Sequence, residues 1–296
     1  MPAISETGLQ ERDRQLPQTS VPVLQAHLAG VALTTPDPEQ LSKFYGAAMG
    51  YDGQWAEGTW RGALDGRWLS LRSGAGNTLD HAAFAVPDTG ALADLRQRLG
   101  EAAVTYEDDA SGIFPNEAIA FADPDGNKLL FGVAGQQAES PTRTPPCRLQ
   151  HIVFASDEAK TMVRFYCDVL GFAPSDYVRD PAGDLTSAFL RCSSEHHSLA
   201  IFRAPRKRLD HLCYDVADWL HIRDWADTFA KRHITLRWGP GRHGPGDNLF
   251  FFINDPDGNW LEFSAELEVI AGPRETGLWA HEERTLNSWG AAIMRS

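Results

Sequence analysis

Positive charge is scarce in this chain. Its 296 residues hold 27 Lys and Arg against 40 Asp and Glu, a formal charge of −13. Such a surface repels phosphate backbones and anionic head groups, so no nucleic acid and no membrane surface is expected among its partners. Long apolar runs are missing too: none approaches the ~20 residues that a bilayer-spanning helix requires. The amino terminus carries Glu6, Glu11 and Asp13 where a secretory signal would carry an apolar core. These absences point to a cytoplasmic protein. Cysteine is sparse as well. Cys147, Cys167, Cys192 and Cys213 never form a C-x-x-C pair, which excludes a zinc knuckle and leaves packing thiols as the reading.

What the sequence has is repetition. Residues 28–52 read like residues 149–173, and Leu41, Phe44, Tyr45, Ala48 and Met49 form a helical stripe matched at a constant offset by Met162, Phe165, Tyr166, Val169 and Leu170. Gly50 and Gly171 close both helices. Residues 79–84 pair with 209–214, each a short strand followed by an amphipathic helix. Residues 118–131 pair with 249–263, each a hairpin turned at Asp-Pro-Asp-Gly. The fold class expected is therefore α+β: four βαβββ modules in two tandem barrel domains. The divisions expected are a flexible tail over residues 1–20, a first domain over 21–135, a linker over 136–147, a second domain over 148–268 and a tail over 269–296. The Pro, Ser and Thr content of residues 136–146 suits a linker.

A duplicated chain carries its own control, because positions that serve only packing should match in both halves. His151, His211 and Glu262 correspond to Gly30, His81 and Leu130. The second half thus has two imidazoles and a carboxylate where the first has one imidazole. All three lie on expected strands, and an acidic side chain turned into a barrel needs a cation or strong donor to offset its desolvation. Two histidines and one carboxylate on one face of a metal form the facial triad of non-haem Fe(II) oxygenases, and Mn(II) accepts the same ligands. His197 shares strand parity with the apolar Leu199 and Ile201 and should face inward, whereas its neighbour His196 should not.

From about residue 24 to 268 the sequence resembles the two-domain type I extradiol catechol dioxygenases of the vicinal oxygen chelate superfamily, whose fold is glyoxalase-like. The resemblance is most specific at Gly239-Pro240-Gly241-Arg242-His243-Gly244 and Asp255-Pro256-Asp257-Gly258-Asn259, which are similar to those of homoprotocatechuate 2,3-dioxygenase-like members. It implies metal ligands at His151, His211 and Glu262 in the second domain and none in the first. It also implies a proton-exchanging histidine at His197 and a donor at His243. Where the family usually places a hydroxyl-bearing tyrosine the chain has Phe252, so either His243, Asp247 or Tyr214 substitutes or the chemistry is slower or altered. Trp238 replaces a substrate-binding arginine and Phe189 stands on the opposite wall, which together suit an apolar or bicyclic substrate.

The implied activity is meta cleavage of a small aromatic diol, with O2 as co-substrate, Fe(II) or alternatively Mn(II) as cofactor, and a homo-oligomeric assembly. Two alternatives remain at this point. One is non-oxidative chemistry on the same fold, an isomerase, epimerase or lyase; the other is a ligand-binding protein. The C-terminal tail, with Trp279, Arg274, His281 and Trp289, is expected to cover the mouth of the site.

Overall fold

The computed structural model describes residues 16–135 and 145–294. In the first half, β1 (His27–Thr35), α1 (Pro38–Phe44), β2 (Asp52–Ala56), β3 (Thr59–Leu64) and β4 (Arg67–Ser73) form one module. β5 (Thr78–Val86), α2 (Thr89–Glu101), β6 (Glu107–Asp108), β7 (Ala118–Ala122) and β8 (Lys128–Val133) form the next. The second half repeats the pattern with β9 (Arg148–Ser156), α3 (Ala159–Arg164), β10 (Ala173–Arg179), β11 (Leu185–Arg191) and β12 (Leu199–Arg203). Its last module is β13 (Arg208–Asp215), α4 (Trp219–Lys231), β14 (Trp238–Arg242), β15 (Leu249–Asn254) and β16 (Trp260–Ala265). Each of the four is βαβββ, as the repeat implies.

The modules join in the same way in both halves. Each first strand pairs in parallel with the last strand of its own module, and the two first strands pair antiparallel at the centre, β1 with β5 and β9 with β13. The hydrogen-bonded orders are β2-β3-β4-β1-β5-β8-β7-β6 and β14-β15-β16-β13-β9-β12-β11-β10, so each barrel is an open one. Both α1 and α3 run on into a wider π turn, over Tyr45–Met49 and Phe165–Leu170. Gly50 and Gly171 then stop the helices at φ of 83° and 89°, a left-handed conformation in which a Cβ is costly.

Strand alternation sends the two faces of each sheet to different tasks. In the second half Ile152 and Phe154 join Met162, Trp225 and Phe229 in the large core, while His151 and Val153 face away from it into a cavity. The matching face of the first half is filled. Ala29, Ala83, Ala120, Phe114 and Leu130 pack there with Trp68, whose ring lies so near Gly30 that a Cβ on that residue would stand 2.2 Å from it. His81 sits against the same indole, with ring centroids 5.8 Å apart. An aromatic plug thus occupies in the first half the place that is open in the second.

Two hydrogen bonds cross between the halves by the same rule. Tyr45, at the end of α1, donates to Asp255 Oδ2 at 2.9 Å, and its counterpart Tyr166 donates to Asp123 Oδ2 at 3.0 Å. Each aspartate opens an Asp-Pro-Asp-Gly turn, and its Oδ1 accepts two backbone N–H groups of that turn. Burial pushes Asp255 up to about 6, against the hydrogen bonds that favour its charge. Tyr45→Phe should therefore destabilise the protein by about 1.5–3 kcal/mol, the weight of a hydrogen bond to a charged group. A fall in the urea midpoint at unchanged slope would register it, and an unchanged midpoint would contradict it.

The termini differ from expectation. Residues 16–20, assigned to a flexible tail, pack on the second half: Leu16 is buried in the large core and Pro17 O accepts from Tyr177 Oη at 2.8 Å. Residues 1–15 of that tail, and residues 136–144 of the expected linker, lie outside the described residues. The C-terminal segment adds a ninth strand, β17 (Gly277–Ala280), parallel to β10, and a short helix, α5 (Glu283–Leu286). No helix among the described residues is long and apolar enough to cross a membrane.

Candidate metal centre and its cavity

Three adjacent strands, β9, β13 and β16, set the centre. Cys213 is opposite His151 on one side and Glu262 on the other, and His211 shares the face of Cys213 two residues earlier. Glu262 Oε2 lies 3.4 Å from His151 Nε2 and 3.2 Å from His211 Nε2, and Oε1 lies 3.4 Å from His243 Nε2. All three predicted ligands are almost wholly buried. Asn248 Nδ2 also donates to the carboxylate, 3.2 Å from Oε1.

The far nitrogens fix the tautomers. Gln150 uses its Nε2 on His197 O at 2.8 Å and on Glu195, so its Oε1 must accept from His151 Nδ1, 2.6 Å away. Asp210 Oδ1 accepts from His211 Nδ1 at 2.8 Å, and Leu286 O accepts from His243 Nδ1 at 2.5 Å. Three Nε2 lone pairs consequently face one buried carboxylate. So many electron pairs are held together only by a cation or by protons, and imidazoles oriented through Nδ1 are the usual supports of a metal. The donor set therefore fits a single divalent ion bound by His151, His211 and Glu262.

Electrostatics agree with this arrangement. Where protons rather than a cation fill that place, burial opposes the charge of Glu262, but hydrogen bonds from the three imidazoles hold its carboxyl well below the usual range. Burial lowers His151, whereas at His211 the carboxylates of Asp210 and Glu262 outweigh burial and raise it. Cys213 Sγ lies within a 4.8 Å cluster with His151 and Glu262. Burial, followed by the charge of Glu262, pushes its thiol well up, which suits the protonated packing residue expected of it. We prefer His211 over Cys213 as the third donor because both imidazole Nε2 atoms approach the same carboxylate oxygen.

The centre opens into a cavity walled largely by aromatic side chains. Of the residues singled out from sequence, His197, His243, Phe189, Trp238 and Phe252 line it. His243 stacks on Phe250 with ring centroids 3.8 Å apart, and Phe252 stands edge-on to His211 at 5.2 Å. Two residues need correction. Tyr214 is absent from the cavity wall: its parity is opposite to that of His211, and its hydroxyl meets Tyr51 Oη at 3.1 Å in the core between the halves. Asp247 is absent too, because it sits in a loop at φ 50° with its side chain 77% exposed.

The strand parity given to His197 also needs correction: Leu199 and Ile201 point into the large core, and the 196–197 pair lies in the turn before β12. The turn that carries it is buried, and both histidines of the pair are enclosed. His197 faces the cavity with its ring 4.2 Å from that of His151, and burial, followed by the neighbouring His151 and His196, holds it well below the ordinary histidine value. His196 turns away from the cavity and bonds to His197 and Asp176 instead. Thr285, Leu286 and Ile293 of the C-terminal segment also line the cavity.

Sequence reasoning missed Gln150, Asp210 and Asn248. Asp210 had a visible signal, since Asp80 bonds His81 in the first half just as Asp210 bonds His211. Gln150 and Asn248 had none.

Residues 148–263 match the model of the Glyoxalase/Bleomycin resistance protein/Dioxygenase superfamily. The chain is 29% identical to metapyrocatechase 2 of Cupriavidus necator over 76% of each protein. It is 27% identical to an iron-dependent extradiol dioxygenase of Rhodococcus jostii, over 75% of this chain and 80% of that one. It is 31% identical to biphenyl-2,3-diol 1,2-dioxygenase 3 of Rhodococcus globerulus, over 51% of this chain and 79% of that one. Homoprotocatechuate 2,3-dioxygenase of Arthrobacter globiformis shares the fold, with a TM-score of 0.81 at 21% identity over 94% of this chain and 91% of that structure.

Proposed function

The chain belongs to the extradiol ring-cleaving dioxygenases of the vicinal oxygen chelate superfamily, and from that premise we propose how it works. It cleaves an aromatic diol beside its two hydroxyls, adding both atoms of dioxygen, at one metal held by His151, His211 and Glu262. The observation that carries this reading is the convergence of Nε2 lone pairs on a buried carboxylate at the floor of an apolar cavity. Fe(II) is the ion assigned, with Mn(II) accepting the same donors. When bound, the ion supplies Lewis acidity toward the diol and a one-electron route to dioxygen.

The remaining work falls to this chain's own groups. His197, neutral and buried beside the metal ligands, accepts a hydroxyl proton of the diol and returns it later in the cycle. His243, held by the Leu286 carbonyl and stacked on Phe250, keeps its Nε2 beside Glu262, where it can contact the diol or the oxygen. Phe252 cannot donate a hydrogen bond and serves as wall. Trp238, Phe189, Phe202 and Phe252 make that wall aromatic, and no Lys or Arg lines it among the described residues. The substrate fitted by such a wall is a catechol with an apolar or second aromatic substituent rather than a carboxylate.

An oxygen electrode with metal-replete protein and catechols bearing phenyl, alkyl or acetate groups tests this. Oxygen uptake with a yellow product should be fastest for the apolar substituents. Absence of uptake with every catechol would refute the activity, and a preference for the acetate would refute the assigned wall.

The acidic surface supports a cytoplasmic protein acting on small molecules, and the exposed Trp219, Leu220 and Trp289 support a homo-oligomer. Ending the chain after Asn287 would remove Ile293 from the cavity while sparing Leu286 O. The Michaelis constant should rise about 10-fold or more, the effect of lost apolar contacts in a pocket, with metal content unchanged. Wild-type kinetics would show that this segment is not part of the lid.

A further inference from the structure

Asp176 has no part in the chemistry above, yet it is fully buried on β10 and draws three donors. His196 Nε2 lies 3.0 Å from Oδ2, Trp279 Nε1 donates to the same oxygen at 3.0 Å, and Arg274 Nη1 donates to Oδ1 at 3.1 Å. Two of the three come from the C-terminal segment. β17 places Gly277 opposite Asp176, and a Cβ on Gly277 would stand 2.1 Å from Oδ1, so only glycine permits this approach. On its other side His196 reaches inward, its Nδ1 lying 3.0 Å from Nδ1 of His197.

A neutral imidazole has one N–H and one lone pair, and a carboxylate only accepts. Asp176 therefore takes the Nε2–H of His196. The lone pair of His196 is then at Nδ1 and accepts the Nδ1–H of His197, which leaves Nε2 of His197 bare. That is the form a proton acceptor requires. Arg274 supplies the counter-charge to Asp176, so the carboxylate needs His196 only as a neutral donor. Glu268 Oε2, 3.3 Å from Arg274 and 3.9 Å from His196 Nε2, is partly exposed and shared with solvent.

We propose that Asp176 is a positioning residue: through His196 it sets which nitrogen of His197 carries the proton, and the docked C-terminal segment holds it in that role. This rests on the reading of His197 as the group that accepts the diol proton.

Asp176→Asn tests it. With Arg274 holding the amide oxygen at the place of Oδ1, the amide NH2 takes that of Oδ2, where it gives up the Trp279 N–H and donates to His196, and the chain of bonds reverses, leaving His197 with Nε2–H. Long-range proton–nitrogen correlation spectra of full-length protein, labelled with ¹⁵N-histidine and loaded with diamagnetic Zn(II), read the tautomers directly. Wild type should show His197 protonated at Nδ1 and bare at Nε2, and the variant the exchanged pattern at equal metal content. With Fe(II), kcat of the variant should fall by roughly 10²- to 10⁴-fold at a little-changed KM.

Nε2–H on wild-type His197, a doubly protonated His196, or unchanged spectra and kcat in the variant would each overturn the proposal. The wild-type spectrum decides the tautomer even where the variant does not fold. Gly277→Ala, which forces β17 off Asp176, should shift the same resonances; no shift would overturn the role given to the C-terminal segment. A wild type that cleaves no catechol yet shows bare Nε2 refutes the reaction and supports the tautomer. One that cleaves catechol and shows Nε2–H does the reverse.

Discussion

Replacing His151, His211 or Glu262 by Ala, one at a time, should yield folded proteins that bind no metal and cleave no catechol. Each change removes one of three donors whose geometry depends on the others, and such sites lose affinity steeply when a ligand is lost. The fold should persist because these side chains face the cavity, while Ile152, Leu212 and Leu261 on the same strands point into the core. Glu262→Ala has a second effect: it leaves imidazole nitrogens facing one another without the anion that draws them together. Elemental analysis should give metal far below one per chain in all three, with thermal unfolding still cooperative. Near-stoichiometric metal in any one of them would show that residue is not a ligand, and retention in His211→Ala would move the assignment to Cys213.

His197→Phe should keep its metal and slow the chemical step by roughly 10²- to 10⁴-fold. The substituted ring fills a similar volume among Phe189 and His151, which lie 5.1 and 4.2 Å from the imidazole, so binding of the diol should change little. Stopped-flow observation of ring opening at saturating substrate isolates that step from binding. An unchanged rate would assign the proton to another group, of which His243 is the candidate inside the cavity. Because His197 is fixed by His196, removal of His196 should also slow the step, a consequence that strand parity alone does not suggest.

The repeat made much of this legible. Offsets between matched helices and hairpins were enough to place all four modules, and the contrast of Gly30 and Leu130 with His151 and Glu262 singled out the half that holds the candidate centre and its cavity. Alternation did not place His197: Leu199 and Ile201, with which it shares parity, face the core, and the turn before β12 brings its ring into the cavity instead. The same rule applied to Tyr214 would have excluded it, since an even-numbered residue on β13 does not share a face with His211. Other features had no such signal. Asp247 lies in a loop whose backbone direction is set by Gly246 and a left-handed turn, not by any periodicity. Trp68 as the plug of the first half, and Asp176 with its donors from a strand 100 residues later, are tertiary contacts that local pattern does not encode. Burial of the polar turn around His196 is likewise not encoded locally, since its partners lie on β9, β10 and the C-terminal segment.

The crossed tyrosines bear on why a metal-free half persists at all. Tyr45 belongs to the first half but completes a turn in the second, and Tyr166 returns the arrangement. Neither half is thus a self-sufficient folding unit: cut apart, each would expose a buried aspartate without its hydroxyl and a tyrosine without its acceptor. The duplication that produced the second half's ligands also made it structurally dependent on its twin. The first half thus serves the second through Tyr45 whether or not it binds anything itself, because without Tyr45 the turn that leads into β16 and Glu262 would lose the partner of Asp255. Selection can erase a copy's chemistry far more easily than it can erase the copy.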